Sequence, residues 1–176
     1  MKINNNILLE VNNLCISTAS KNNVKSLVKN ISFNIRKNEI IGLLGESGSG
    51  KSLTSLAILK LLNKDQFKVS GEILFQEKDL LKIEDYKMLK IRGAEISMIF
   101  QEPMSALNPT MKIGKQLSEV YKIHQAKSNF NIQKKIKKLI KKVKLEKVEN
   151  ILQKYPHEIS GGQKQRIMII MALACK

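Results

Sequence analysis

An eight-residue stretch, GESGSGKS at Gly45–Ser52, constrains this chain more than any other part of its sequence. It matches the pattern G-x-x-x-x-G-K-[ST], in which glycines let successive backbone N–H groups turn towards phosphate oxygens. The apolar run before it, EIIGLLG, is typical of a buried strand, and the stretch after it, KSLTSLAILKLL, has a helical pattern. This order of strand, loop and helix predicts a nucleotide-binding loop.

The residues of this loop have predicted tasks. The backbone and the start of the following helix would bind phosphate. Lys51 would reach the β- and γ-phosphates, and Ser52 would place its hydroxyl on Mg²⁺. The predicted nucleotide-binding residues are Gly45, Ser47, Gly48, Ser49, Gly50, Lys51 and Ser52. A guanine nucleotide is disfavoured, because the nearest match to the guanine-reading pattern N-K-x-D is NKDQ, with its acid one position early.

The rest of the chain passes from β-rich to helical stretches. Short apolar runs with turn residues between them predict strands in ILLEVNNLCIST and VKSLVKNISFNIRKNE, a hairpin in VSGEILFQEKDL and another buried strand in AEISMIFQ. Two helices, the loop YPHEISGG and a final helix in QKQRIMIIMALAC follow. The predicted organisation is one domain over 1–176, with a β and phosphate-loop part at about 1–101, a helical part at about 102–159 and a last helix in 160–176.

The formal net charge of +16 would suit a nucleic-acid partner. However, only three of the 31 basic residues are arginines, the residue type that clamps phosphates and reads bases. Many lysines lie in QKKIKKLIKKVKLEK, and apolar residues recur at helical spacing from the residue just before it: Ile132, Ile136, Leu139, Ile140 and Val143. We therefore predict an amphipathic helix with a solvated basic face, and we expect no nucleic-acid partner.

The sequence also favours a reducing, cytoplasmic setting. No apolar run approaches the roughly 20 residues that a membrane-spanning helix needs. The N-terminus lacks the apolar block of a secretory signal. Cys15 and Cys175 are too few and too far apart in sequence to suggest a disulfide framework or a metal site.

Three motifs in this order, GESGSGKS, MIFQEP and ISGGQ, resemble those of the ATP-binding cassette (ABC) family, the motor subunits of ABC transporters. The longer segments MIFQEPMSALNPTMKIGKQL and YPHEISGGQKQRIMIIMALAC are similar to the ATPases of dipeptide, oligopeptide and nickel importers. The resemblance runs from about Leu8 to Cys175. It implies an α/β fold, with a P-loop NTPase core, an N-terminal antiparallel β subdomain and an α-helical insertion. It also implies ATP hydrolysis with Mg²⁺, by a peripheral subunit at the cytoplasmic face of the membrane.

The resemblance assigns tasks to residues far from the phosphate loop. Gln101 would reach Mg²⁺ and the attacking water, and would share catalysis with Lys51. The signature residues would bind the γ-phosphate of ATP held by a second ABC subunit in a head-to-tail dimer: Ser160, Gly161, Gly162 and Gln163. The other implied partners are transmembrane permease subunits and, indirectly, a substrate-binding protein.

The sequence departs from the family pattern in two respects. Thr18 stands where the family has an aromatic residue that stacks on adenine. In addition, no aspartate of the chain closes an apolar strand. In the family, the metal-holding Asp, the water-polarising Glu, the switch His and the C-terminal part of the core sheet all lie beyond the position of Lys176, so the resemblance implies that this sequence lacks them. We expect EIIGLLG to lack its neighbouring strand, which would leave an apolar edge and a marginally stable chain.

Two hypotheses stay open after these departures. The chain is either an importer ATPase subunit represented by a truncated sequence, or a non-catalytic nucleotide-binding remnant. A DNA-associated ABC ATPase is disfavoured, because QEPMSALNP is importer-like.

Overall fold

The computed structural model describes residues 6–20, 23–100, 106–124, 129–145 and 148–174. It divides into two compact units, Met1–Leu89 and Lys90–Lys176. Strands dominate the first unit and helices the second. Within the described ranges, no helix has the length and apolar character needed to cross a bilayer.

A four-stranded antiparallel sheet organises the first unit. Its strands are β1 (Ile7–Thr18), β2 (Ser26–Arg36), β3 (Phe67–Phe75) and β4 (Lys78–Asp79), in the order β2-β1-β3-β4. Because β1 pairs on both sides, its apolar side chains are the best covered, and four of them are buried: Leu9, Val11, Leu14 and Ile16. The predicted N-terminal strands and the predicted hairpin are confirmed.

A β-bulge at Asn13 interrupts β1, and the register shifts there against both neighbouring strands. Two residues rather than one separate the buried Val11 from the buried Leu14. Asn13 has a left-handed φ of 50°, and its N–H donates to Ser32 Oγ at 2.9 Å. Gly71 of β3 has φ 101°, and a Cβ there would lie 2.5 Å from the Asn13 carbonyl oxygen. The close approach of the two backbones therefore requires glycine at position 71.

Two segments that the sequence predicts as buried strands, EIIGLLG and AEISMIFQ, form no strand in their described residues, 39–45 and 94–100. Residues 39–45, EIIGLLG, pair with no strand among the described residues, and Ile40 and Leu44 are 98% and 93% exposed. In the described part of AEISMIFQ, residues 94–100, Ile96 makes an isolated bridge to Arg92, which precedes the segment. An apolar run forms a strand only where a neighbouring strand satisfies its backbone groups, and the described residues supply none to either run. The exposure of Ile40 and Leu44 agrees with the expectation that EIIGLLG lacks a neighbouring strand.

Two short helices complete the first half of the chain, α1 (Lys51–Ile58) and α2 (Asp85–Ile91). The predicted helix after the phosphate loop is confirmed but ends earlier than its pattern, since Lys60 has a left-handed φ of 52°. The Lys60 ammonium donates to the Ile83 carbonyl at 2.6 Å and pairs with Asp85 at 3.1 Å. These bonds join the turn after α1 to the start of α2, which the sequence analysis did not predict.

Asp79 stabilises the β3–β4 hairpin through its carboxylate. It accepts from the Leu81 N–H at 3.0 Å and the Ile73 N–H at 3.5 Å, and it pairs with Lys82 at 2.8 Å. Burial opposes ionisation of the Asp79 carboxyl, but the Lys82 ammonium and the two N–H groups outweigh it and hold the pKa of Asp79 below its usual value.

The second unit packs its helices around one core. They are α3 (Ile113–His124), α4 (Asn129–Lys142), α5 (Val148–Gln153), a 3₁₀ turn (Pro156–Glu158) and α6 (Gly161–Leu173). The three longer helices contribute buried residues three or four positions apart: Ile113, Leu117, Tyr121, Ile132, Ile136, Ile140, Ile167 and Ile170. The predicted amphipathic character of α4 is confirmed, because its isoleucines face this core and most of its lysines are exposed.

Candidate nucleotide-binding site

The glycine-rich loop follows β2 and residues 39–44, and it leads directly into α1. Gly48 and Gly50 have left-handed φ values of 83° and 93°, which glycine adopts without strain. Gly50 is buried at the N-cap of α1. A Cβ there would lie 2.6 Å from Val28 Cγ2 and 3.0 Å from the Leu27 carbonyl oxygen. The loop therefore rests on β2 at its last glycine, whereas a Cβ at Gly48 would meet open space.

The Lys51 ammonium is held inside the loop by three oxygens. Its Nζ donates to the Gly45 carbonyl at 2.7 Å, to the Glu46 carbonyl at 2.6 Å and to Ser49 Oγ at 3.3 Å. A lysine ammonium has three donors and no acceptor, so the loop satisfies each of them. The side chain is thus fixed across the glycine-rich loop at the start of α1, an arrangement that suits a polyphosphate.

The first turn of α1 carries the other polar groups of the loop. Ser52 is exposed as the second residue of the helix. The Thr54 N–H and hydroxyl both donate to the Gly50 carbonyl, at 2.9 and 3.1 Å. These two bonds fix the start of α1 on the buried glycine, and they leave the Ser52 hydroxyl at the exposed end of the helix.

The signature residues form the N-terminus of α6 in the second unit. Ser160 is the N-cap, and its Oγ accepts from the Gln163 N–H at 3.4 Å. The Gln163 side chain accepts in return from the Ser160 N–H at 3.0 Å, which completes a capping box. Gly161 and Gly162 are exposed, and a Cβ on either would meet no atom within 4 Å. A hydroxyl, two bare glycines and a helix N-terminus thus face open space together.

Of two further residues singled out from the sequence, the structure describes only Thr18. Gln101 lies outside the described residues, so its predicted contact with Mg²⁺ and water stays a prediction. Thr18 ends β1, where its Oγ1 donates to the Asn23 carbonyl at 3.1 Å and accepts from the Lys25 N–H at 2.9 Å. Thr18 therefore closes the β1–β2 turn and supplies no ring for an adenine.

Sequence reasoning missed three contributors to the loop. The Glu46 carbonyl binds Lys51, Thr54 fastens α1 to Gly50, and Val28 supports Gly50 from below. Glu46 stands at a variable position of the motif, where a backbone acceptor leaves no trace in residue type. Thr54 sits four residues after Gly50, a spacing at which a hydroxyl can bond the preceding carbonyl, and this was a usable signal.

A family model for the ABC transporter matches residues 28–176 of the chain, which includes the loop, the signature helix and everything between them. The chain belongs to the ABC transporter family. This ABC cassette is 44% identical over 169 residues to the oligopeptide transport ATP-binding protein OppD of Bacillus subtilis, and it is 43% identical over 170 residues to the dipeptide transport ATP-binding protein DppD of the same species.

The match covers nearly all of the cassette but only part of its relatives. It includes 95% of this chain against 47% of OppD, and 96% against 51% of DppD. The chain therefore spans about half the length of the curated relatives it matches. A glutathione import ATP-binding protein, GsiA of Salmonella typhimurium, is 38% identical over 175 residues.

Solved structures give the same fold. A dimeric ATP-binding cassette in a post-hydrolysis state, bound to ADP and Pi, superposes with a TM-score of 0.81 at 26% identity. That superposition covers 95% of this chain and 69% of the other. The predicted α/β ABC ATPase fold with an N-terminal antiparallel sheet is confirmed.

Proposed function

We propose that this ABC cassette is the ATP-binding subunit of an importer that takes up short peptides, and that it couples ATP binding and hydrolysis to uptake. The observation that carries the proposal is the Lys51 ammonium, which three oxygens of the glycine-rich loop hold at the start of α1. The names of the oligopeptide, dipeptide and glutathione relatives support peptides over nickel as the cargo.

Lys51 has to exchange acceptors when ATP binds. All three of its donors are used within the loop, so a phosphate oxygen must replace at least one of them. Ser49 Oγ, at 3.3 Å, is the most distant of the three acceptors and the one we expect to be released first. The glycine N–H groups would add uncharged donors. Because these donors are already in place, they would stabilise negative charge that develops on the phosphates during hydrolysis.

Mg²⁺ would be held by the hydroxyl of Ser52 and the amide of Gln101. Both groups offer the hard oxygen ligand that this ion prefers, and Ser52 lies exposed at the start of α1. When bound, the ion would neutralise charge on the phosphates. Among the described residues, no cluster of three or more His, Cys, Asp or Glu could hold a metal ion by itself.

The signature residues suit an anion delivered by a second subunit. Ser160, Gly161, Gly162 and Gln163 would close on the γ-phosphate of ATP in the partner of a head-to-tail dimer. The two exposed glycines offer backbone N–H groups without steric hindrance, and the helix N-terminus favours negative charge. We further propose that the chain lies peripherally at the cytoplasmic face of the membrane, where it binds permease subunits. A substrate-binding protein would be an indirect partner.

ATP binding tests the first part of the proposal. Purified chain should bind a fluorescent ATP analogue with Mg²⁺, and Lys51→Ala should weaken that binding by about tenfold or more, because a charge-assisted bond to phosphate is lost. Lys29→Ala is the matched control: it removes an exposed lysine of β2 and should leave the affinity unchanged. Equal affinity in the wild type and Lys51→Ala would contradict the proposed site.

Phosphate release distinguishes an importer ATPase from a subunit that only binds. Magnesium-dependent turnover that disappears in Lys51→Ala supports hydrolysis by the chain. ATP binding without turnover favours the non-catalytic alternative.

Uptake of a labelled tripeptide by cells of the source organism tests the cargo. Deletion of the gene should abolish tripeptide uptake and leave nickel uptake unchanged.

A further inference from the structure

The positive charge of the chain is concentrated in its second unit. Of the 31 basic residues, 18 lie in Lys90–Lys176, together with only six of the 15 acidic residues. The densest part is α4 with the three residues after it, 129–145, which carries seven lysines and no acidic residue. The charge excess is therefore local, and α4 lies at its centre.

Three of these lysines form a straight row on the outer face of α4. Lys134, Lys138 and Lys141 are exposed, and their spacing of four and three residues places them within about 60° around the helix axis. Along the axis the row is about 10 Å long. Ile136 and Ile140 lie on the opposite side and are 1% and 0% exposed, so the buried core of the second unit holds the row towards solvent.

The charge of this lysine row is not compensated within the described part of the chain. No ion pair there involves Lys134, Lys138 or Lys141. Lys135 and Lys137 of the same helix have contacts within the chain and are not counted in the row. Because like charges three or four residues apart destabilise a helix, the row weakens α4 in the free chain. A partner of opposite charge would remove this repulsion.

The chemistry of the lysine row fits an anionic lipid surface. Lysine offers a flexible point charge, without the planar fork by which arginine clamps phosphates or reads bases, and α4 contains no arginine. A straight row on one helix face can contact a flat layer of lipid head groups along its whole length. The apolar face of α4 is already packed in the core, so the contact would be electrostatic and would involve no insertion into the bilayer.

We propose that the lysine row binds the anionic phospholipid head groups of a membrane, with α4 lying along the surface. The proposal goes beyond nucleotide binding, because none of the three lysines is a predicted nucleotide-binding residue. It adds a direct lipid contact to the permease contacts proposed above. It also assigns a partner to a surface that the sequence pattern alone predicts to be solvated.

Sedimentation of the full chain with vesicles tests this proposal. The chain should bind vesicles that mix phosphatidylcholine with phosphatidylglycerol, and it should bind vesicles of phosphatidylcholine alone only weakly. We expect Lys134→Gln, Lys138→Gln and Lys141→Gln each to weaken binding to the anionic vesicles about fivefold, and the triple variant about a hundredfold. Binding should also fall steeply as salt is added. Equal binding to the two kinds of vesicle would contradict the proposal.

The matched control removes the same charge elsewhere, by the changes Lys25→Gln, Lys29→Gln and Lys68→Gln on the strand-rich first unit, where all three lysines are exposed. This control should bind within about twofold of the wild type, because long-range attraction is screened over about 10 Å in physiological salt. Equal losses in the two triple variants would overturn the proposal, since they indicate general attraction between charges. Urea midpoints no lower than that of the wild type show that the row variants are folded, because glutamine keeps helix propensity.

Two soluble anions separate the lipid surface from other sources of phosphate. Inorganic phosphate at millimolar concentration should leave the chain on the vesicles, and a DNA duplex should bind more weakly than the anionic vesicles do. Displacement by phosphate would assign the row to a free anion, and tighter DNA binding that disappears in the row variant would assign it to a nucleic acid; both results refute the proposal. Chain that binds ATP but not anionic vesicles would refute the lysine row alone, whereas chain that binds vesicles but not ATP would refute only the nucleotide site.

Discussion

Replacement of Gly50 by alanine should destabilise the chain more than the same change at Gly48. Both glycines have a positive φ, so each variant should lose about 1–2 kcal/mol of unfolding free energy to left-handed strain. Only at Gly50 does the new methyl group meet neighbours, 2.6 Å from Val28 Cγ2 and 3.0 Å from the Leu27 carbonyl oxygen. Overpacking of this kind costs about 1–3 kcal/mol. We therefore expect total losses of about 2–5 kcal/mol for Gly50→Ala and about 1–2 kcal/mol for Gly48→Ala.

Urea unfolding followed by far-UV circular dichroism measures this difference. With a slope of about 2 kcal/mol per molar urea, the midpoint of Gly50→Ala should lie about 0.5–1.5 M below that of Gly48→Ala. The slope of unfolding free energy against urea concentration reflects the surface exposed on unfolding. An equal slope in the two variants shows that they differ in stability and not in the amount of structure that unfolds. Equal midpoints, or a lower midpoint for Gly48→Ala, would refute the argument that β2 supports the phosphate loop through its last glycine.

Three further predictions concern stability. Ser160→Ala should lower the unfolding free energy by about 1 kcal/mol, because it removes the N-cap of α6, while Ser160→Asp should keep most of it; equal urea midpoints for the two would contradict the capping role. The pKa of Asp79 is lowered on folding, so its contribution is present above the unfolded value of about 3.9 and is lost as pH falls through the lower folded value. In thermal scans, the melting temperature should therefore fall less steeply between pH 6 and pH 2 in Asp79→Asn than in the wild type. Parallel curves of melting temperature against pH would exclude this role. Ile136→Ala should cost about 2–5 kcal/mol and Lys142→Ala within about 0.5 kcal/mol, since only the isoleucine is buried; similar urea midpoints would contradict the assigned face of α4.

The turn from the glycine-rich loop into α1 was predictable, because the pattern G-x-x-x-x-G-K-[ST] restricts residue type at fixed positions. Gly50 has a positive φ that glycine adopts without strain, and Lys51 donates to three oxygens of the loop. The acceptors of Lys51 were not predictable, because two of the three are backbone carbonyls and any residue supplies one. The reciprocal capping box of Ser160 and Gln163, by contrast, was predictable, because both acceptors are side chains in the S-x-x-Q pattern, but the sequence analysis did not use it.

The strands show a different limit of sequence reasoning. β1 and the run EIIGLLG are both apolar, yet β1 is paired on both sides and Ile40 is almost fully exposed. Burial of its apolar side chains would stabilise such a segment, but a strand forms only if another strand is available to pair with it. The helix α4 was easier to predict, because its isoleucines recur every four residues and the pattern itself defines the buried face.

The bulge at Asn13 determines how β1 tolerates the insertion or deletion of a residue. Leu9 and Val11 point to the core before it, and Leu14 and Ile16 do so after it. Removal of one asparagine would leave a sequence that alternates without interruption, so the bulge absorbs one extra residue without exchanging the two faces of the strand. A single deletion here should therefore be far less harmful than one anywhere else in β1, where it would turn apolar side chains towards water.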